Sequence, residues 1–241
     1  MAKKYFANFA EIQYEFADGS FTTIKDLFRK AKIETNRIDS IINYTVYEIQ
    51  EGDRPDVVAS RLYGDGDLYW TFFLVNDFLG TVNDWYRDSS AFDAFMTTKY
   101  PGFVLNATNT TDIVSGTSKF ALGEGFVSSN GAKGTICEVN ATMKRIVVIY
   151  DNLNRCVAGN TITGNTSGKS FTLLSTSEHR DAVHHYAETS GALSNTDNAT
   201  NTPVSNIDAE RATNEEKRQI KVIEPRFVRQ VVREFESIIS I

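Results

Sequence analysis

The sequence predicts an α+β protein: a strand-helix-helix-strand module, an inserted small all-β barrel or sandwich, and a C-terminal amphipathic helix. Three observations predict it. Tyr44 to Phe78 passes from a β-branched, aromatic run through a Gly52-Asp53 turn into two helical patterns. Phe103 to Thr176 consists of short apolar runs separated by Gly, Ser and Asn turns, with few charges. From Pro225 onward, Phe227, Val228, Val231, Val232, Phe235, Ile238 and Ile239 form one apolar stripe at helical spacing.

Residues 1–42 read as an N-terminal extension. Tyr5 to Phe16 is aromatic and extended, and Asp18-Gly19-Ser20 breaks it. Ile24, Leu27, Phe28 and Ala31 then recur at i, i+3, i+4 and i+7, which predicts an amphipathic helix capped by Thr22 or Thr23. Residues 43–102 form the module. Tyr44 to Ile49 reads as a strand, Pro55 to Tyr63 as a helix stopped by Gly64, and Asp67 to Asn76 as a second helix. Thr81 to Tyr86 is the candidate returning strand, and Ser89 or Ser90 caps a short helix that Pro101-Gly102 ends.

Residues 103–176 form the inserted β-rich domain. Its stretch from Phe120 to Ile136 is echoed by Cys156 to Thr172, each with a leading glycine (Gly123, Gly159) and a later Gly/Lys turn between strand-like pairs. GNTSGKS at 164–170 superficially suggests a phosphate loop. That loop needs four residues between its glycines and a long helix behind it, whereas Gly164 and Gly168 enclose three and strands surround them. It reads as a β-turn. Residues 177–204 are a polar linker with a short strand-like run at Ala182 to Tyr186, and 205–241 form a C-terminal helical segment. There Ser205 or Asp208 starts a polar helix through Glu216, Gln219 to Ile223 is strand-like, and Pro225 sits in the first turn of the last helix.

With 241 residues, 41% hydrophobic and 23% charged, the chain is able to bury a sizeable core. A net charge of -6 speaks against nucleic acid as a partner. The N-terminus has no continuous apolar core, and no segment approaches about 18 uninterrupted apolar residues, so no membrane is expected either. Cys137 and Cys156 are too few for a disulfide framework or a zinc cluster. His179, His184 and His185 are close in sequence, but adjacent strand residues face opposite ways, which speaks against a shared metal. Glu48, Asp53 and Asp67 are isolated carboxylates that read as solvated surface. No catalytic set, metal site, cofactor or small-molecule substrate is predicted.

The Gly52-Asp53 turn, Ala59, Tyr63-Gly64 and Asn76 resemble the small strand-helix-helix-strand LysM fold, with Arg54 in place of its threonine. A wider set of motifs resembles the LysM-like baseplate wedge subunit of T-even-type contractile-tailed bacteriophages. It comprises Asp26-Leu27-Phe28-Arg29, then Arg54-Pro55 through Leu62-Tyr63-Gly64 to Leu68-Tyr69-Trp70 and Asn76-Asp77, and finally Lys217 to Ile223 with the closing helix. The likeness spans roughly 20–100 and 180–240, and the β-rich middle stands as an insertion.

This resemblance implies a non-catalytic structural component of the virion. It would bind other baseplate wedge proteins and adjacent wedges, help join wedges into the baseplate ring, and assemble in the host cytoplasm. Phe227, Val231, Phe235, Ile238 and Ile239 are then candidate subunit-interface residues, although the same stripe also suits packing on the chain's own core. The alternative is a LysM-type peptidoglycan-binding module, with a glycan groove between Gly52, Asp53 and Arg54 on one side and Asn76 on the other. Tyr63, Tyr69 and Trp70 fit core and contact surface better than stacking on a sugar.

Overall fold

The computed structural model describes residues 9–26, 44–76, 80–115, 118–195, 198 and 200–239. The chain divides into two compact units: Met1–Ser89 with Thr213–Ile241, and Ser90–Ala212.

The first unit starts with a hairpin, β1 (Glu11–Glu15) antiparallel to β2 (Phe21–Lys25), in register from Glu11 opposite Lys25 to Glu15 opposite Phe21. The Asp18 carboxylate accepts the Ser20 N–H at 2.9 Å and its hydroxyl at 2.6 Å, while Gly19 takes a left-handed φ of 79°. This turn sends Phe21–Lys25 straight back along β1 as a strand, where a helix was expected. The β-branched Thr22, Thr23 and Ile24 suit that strand. The remainder of the expected helix, with Leu27, Phe28 and Ala31, lies outside the described residues.

β3 (Tyr44–Glu48) leads through Gly52, at φ 77°, into α1 (Pro55–Tyr63). Pro55 occupies a first turn that needs no N–H, and Gly64 closes the helix with a left-handed φ of 74° and a 3.0 Å bond to the Ser60 carbonyl. A 3₁₀ turn, Gly66–Tyr69, runs into α2 (Trp70–Val75). The expected returning strand is absent from its predicted place. Val82–Asp84 is a 3₁₀ turn, because the Asp84 carboxylate gathers the N–H of Gly80 and the N–H and hydroxyl of Thr81 at 3.1, 2.8 and 3.1 Å.

The second unit opens with α3 (Ser89–Lys99), β4 (Phe103–Asn106), a single-turn helix α4 (Thr110–Ile113), and a two-residue ladder of β5 (Val114–Ser115) and β6 (Ser118–Lys119). β7 (Gly125–Ser128), β8 (Lys133–Asn140), β9 (Arg145–Tyr150), β10 (Thr161–Gly164), β11 (Ser170–Thr172) and β12 (Ser175–Glu178) follow. With β4 they form one antiparallel sheet in the order β11-β10-β7-β8-β9-β4-β12. Its two edges are neighbours in sequence. A flat seven-stranded sheet would hold them about 29 Å apart, six spacings of ~4.8 Å. The step from Thr172 to Ser175 reaches at most about 11 Å, so the sheet rolls up. Leu173 and Leu174 stitch the seam, their N–H groups donating to Asn160 on one side and Asn106 on the other. Leu105, Ile113, Phe120, Phe126, Ile136, Ile146, Ile162, Phe171 and Leu173 fill the interior.

The sequence repeat corresponds to two hairpins, β7–β8 and β10–β11, joined edge to edge by the β7–β10 pairing. Equivalent 2.8 Å bonds recur in them, Gly123 N–H to Ile136 and Gly159 N–H to Leu173, with both glycines left-handed. The GNTSGKS segment is the turn of the second hairpin. Its Thr166 and Ser167 amides donate to Glu124 Oε2 at 3.0 and 2.9 Å, and Ala121 N–H donates to Oε1 at 2.6 Å. Burial pushes the Glu124 pKa up, yet these bonds outweigh it and hold the carboxyl below its ordinary value. The amides that resembled a phosphate loop therefore hold the protein's own carboxylate.

β13 (Val183–Ala187) pairs with β14 (Leu193–Ser194) and β15 (Thr202–Ser205), and its register shifts between Val183 and His185. That bulge brings the rings of His184 and His185 together, Nδ1 to Nδ1 at 2.8 Å, instead of sending them to opposite faces. Ser205 then caps α5 (Asn206–Glu216), its Oγ accepting the Asp208 N–H at 3.2 Å. Lys99, the last residue of α3, and Tyr100, just after it, both reach Glu210 on α5, at 2.6 and 2.7 Å.

Back in the first unit, β16 (Gln219–Ile223) supplies the missing partner of β3, antiparallel from Gln219 opposite Glu48 to Ile223 opposite Tyr44. The strand-helix-helix-strand order is completed here, after the whole second unit has intervened. Ile220 and Val222 enter a core with Ile49, Val58, Ala59, Phe72, Trp85 and Tyr86. α6 (Pro225–Ile239) follows at once. Its Val228 and Val231 pack with Ile223 against Tyr44, Tyr63, Leu68 and Leu74, and its Phe235 lies on Trp70 with ring centroids 4.4 Å apart.

Candidate functional site

Asp53 is the centre of the turn that the sequence singled out. Its side chain is 6% exposed. One carboxylate oxygen accepts the Tyr47 hydroxyl at 2.6 Å and the Gln50 N–H at 3.1 Å, and the other accepts Arg61 at 3.0 Å. Arg61 also donates to the Tyr47 hydroxyl at 2.8 Å, and the Trp85 indole donates to the Asp53 carbonyl at 2.7 Å. Burial raises the Asp53 pKa, but the bonds from Tyr47, Gln50 and Arg61 prevail and keep it below the usual carboxylate value. The Tyr47 hydroxyl is pushed up, first by burial and then by its bond to Asp53. The network ties β3, the Gly52 turn and α1 into one rigid corner.

Asn76 does the same at the other end of the module. Its Nδ2 donates to the carbonyls of Phe72 and Lys221, both at 2.8 Å, and its Oδ1 accepts the Lys221 N–H at 2.8 Å. It is 3% exposed. One side chain thus closes the C-terminus of α2 and caps the outer edge of β16. Among the four residues of the alternative glycan groove, Asp53 and Asn76 have their polar groups engaged inside the chain, and Gly52 serves the turn. Arg54 is exposed and grips Asp56 through two bonds of 3.2 and 3.0 Å. An open groove of about 740 Å³ does run along α1, lined by Asp56, Val57, Ser60, Arg61, Gly66, Asp67 and Tyr69, and none of those four residues lines it.

Of the interface residues expected on the terminal stripe, Val231 and Phe235 are 1% and 4% exposed, and their burial is supplied by this chain's own module. Phe227 is half-buried, with the Arg226 guanidinium 4.7 Å above its ring. The side chains of Ile238 and Ile239 lie outside the described residues. Free apolar surface is found instead on the N-terminal hairpin. Tyr14, Phe16 and Phe21 are 49, 48 and 65% exposed, and Tyr14 and Phe16 stand edge to face at 5.3 Å. A two-stranded hairpin is marginal by itself in water, and only Ile12, Thr22, Ile24 and Lys25 of its strands are partly covered. The aromatic bias of this segment was visible in the sequence; its exposure was not.

Residues 4–107 match the family model of base plate wedge protein 53. The match supports a structural role in a phage baseplate wedge, and hence a place in the virion's tail baseplate among other baseplate proteins. It spans the hairpin, β3, α1, α2, α3 and β4, under half of the 241 residues, and stops short of β16 and α6. No curated protein matches the chain. Among the described residues no helix is long and apolar enough to cross a membrane, and no group of three or more His, Cys, Asp or Glu is placed to hold a metal ion.

Proposed function

We propose that this chain is a wedge subunit of a contractile phage tail, in which a LysM-like module binds neighbouring wedge proteins and helps join adjacent wedges into the ring. The observation that carries the reading is the family match, which falls on the hairpin and on most of the module. The geometry supports a role by surface burial. Asp53 and Asn76 spend their polar groups on rigidity, and the hairpin offers Tyr14, Phe16 and Phe21 to a neighbour; with about half of each ring still exposed, burying the remainder contributes about 1–2 kcal/mol apiece. Among the described residues no third strand pairs with the hairpin, and such an edge is suited to strand addition. A standard interface takes about 800 Å² from each partner, so other surfaces must contribute; Phe227 at the start of α6 and Ile238 and Ile239 at its end are proposed contact positions. Assembly would take place in the host cytoplasm, with no reaction catalysed.

The test is co-expression of the full chain with the other wedge proteins of the same phage, followed by size-exclusion chromatography. The wild-type chain should co-elute with them, and a Tyr14→Ser, Phe16→Ser, Phe21→Ser variant should stay folded but elute alone. Complete baseplates from a phage that lacks the chain would overturn the proposal.

A further inference from the structure

One cleft in the second unit has no part in the assembly proposed above. Its floor is the outer face of three neighbouring barrel strands. Ser175 on β12 lies opposite Asn106 on β4, which lies opposite Arg145 on β9, and two residues along, Ser177, Val104 and Val147 form the next row. Side chains alternate along a strand, so Leu105 and Ile146 turn into the barrel core while both rows face outward. The segment that leads into β13 lies over the second row, with Ala182 packed on Val104 and Val147. Around the first row is a cleft of about 570 Å³, within the size range of small-ligand sites.

Its walls are fixed by the backbone. Lys144 has a left-handed φ of 54°, the one positive φ outside glycine among the described residues, which sets the tight β8–β9 turn. The Lys144 carbonyl accepts the Ala107 N–H at 2.7 Å, and the Leu174 N–H donates to the Asn106 carbonyl at 2.9 Å. Across the floor, Asn106 Nδ2 donates to Ser175 Oγ at 3.1 Å.

The lining is polar, near neutral in charge and partly apolar. Thr108, Thr142, Ser177, Asp181 and Asn195 line it with no side-chain hydrogen bond or ion pair among the described residues, so hydroxyls, an amide and a carboxylate are free to donate and to accept. Leu174, 57% exposed, and Met143 add apolar surface. Lys144 and Arg145 are balanced by Asp181 in the wall and by Glu138, whose charge acts on Arg145. Arg145 is itself buried and its Nη1 is spent on the Val183 carbonyl, so it belongs to the floor and is no open anion fork. A polyanion therefore finds no surplus of positive charge here, and a wholly apolar ligand would strand the polar groups of the walls.

We propose that this cleft binds a neutral saccharide, with Asp181 and Asn195 as hydrogen-bond partners of its hydroxyl groups and Leu174 as the platform for a C–H face of the ring. A sugar hydroxyl both donates and accepts, which matches a wall that mixes carboxylate, amide and hydroxyl groups. The C–H face of the same ring matches the apolar part of the lining, and the fixed walls hold both in place without reordering on binding.

The test is a ¹H–¹⁵N NMR titration of the full chain, read at the side-chain amides of Asn106 and Asn195 and at the Ser175 N–H. The probes are maltotriose, mannotriose and chitotriose, with sialyllactose as the anionic control and a capped trialanine peptide as the amide control. At least one of the neutral trisaccharides should give saturable shifts confined to the cleft. Asp181→Ala should weaken that binding by about tenfold, and Leu174→Ala by about three- to fivefold. Both residues are exposed, so the substitutions leave the fold intact. No saturable shift with any neutral trisaccharide, equal shifts with the capped peptide, tighter binding of sialyllactose, or unchanged affinity in both variants overturns the proposal.

Discussion

Replacing Asn76 with Ala removes three side-chain hydrogen bonds at once, all of 2.8 Å, and with them the clamp between α2 and β16. The Phe72 carbonyl keeps its 3.2 Å bond from the Asn76 N–H, so the groups stranded are the N–H and carbonyl of Lys221. At about 1 kcal/mol for each bond lost, and with water reaching the half-buried Lys221, the cost is about 2–3 kcal/mol. Asn76→Asp costs more, at least about 3 kcal/mol, because a carboxylate then faces two carbonyl oxygens at a site that is 3% exposed. The chain has two tryptophans, Trp70 and Trp85, and both belong to the first unit. Urea unfolding followed by tryptophan fluorescence therefore reads this unit alone. With a slope of about 1.5–2 kcal/mol per molar urea, the Asn76→Ala midpoint should fall by about 1–2 M. A midpoint within about 0.3 M of wild type at unchanged slope would show that the clamp does not hold β16 in place.

Three further outcomes follow from the packing and the buried charges. Phe235→Ala should cost the first unit about 3–5 kcal/mol and red-shift its fluorescence, since the ring lies 4.4 Å from that of Trp70; an unchanged melt would place α6 elsewhere. Glu124→Gln should cost the second unit about 1.5–3 kcal/mol and speed hydrogen exchange at Thr166 and Ser167, whose amides it receives. His179 is held below its ordinary pKa, chiefly by burial, so the unfolded chain takes up its proton first. Its stabilising contribution is full above pH ~6.5 and fades as pH falls through the folded value; hydrogen exchange at β9 that slows between pH ~6.5 and ~5, after correction for intrinsic rates, would contradict this.

What the sequence disclosed was local. Pro55 and Gly64 mark both ends of α1 because each residue acts on its own backbone: Pro55 fits a first turn, and Gly64 takes the left-handed cap. Gln219 to Ile223 was legible as a strand for the same reason, but its partner was not, since the ladder joins Gln219 to Glu48 across the entire second unit. Ile24 had the spacing of a helix, and the Asp18-Gly19-Ser20 turn overrode it by returning the chain along β1. His184 and His185 obeyed strand alternation until a bulge intervened. The inward use of Asp53 and Glu124 was hidden because an acidic residue in a turn reads as solvated until its amide donors are placed around it.

The same non-local closure makes the family match and the folding unit differ in extent, and the difference is testable. The match ends at residue 107, before β16, so a fragment that stops there leaves β3 without its ladder and Ile49, Val58 and Phe72 without Ile220 and Val222. Such a fragment should fail to form a cooperative core. The opposite deletion should succeed. Arg87 and Asn214 touch directly, the Arg87 N–H donating to Oδ1 at 3.0 Å and the Arg87 carbonyl accepting from Nδ2 at 2.9 Å. Residues 1–89 and 213–241 can therefore be joined by a short Gly/Ser linker in place of 90–212, at the small entropic cost of a closed loop. The joined protein should unfold in urea with the tryptophan-detected midpoint of the full chain to within about 0.5 M. If fragment 1–107 instead folds cooperatively and the joined protein does not, β16 is not part of the module, and its pairing with β3 is wrong.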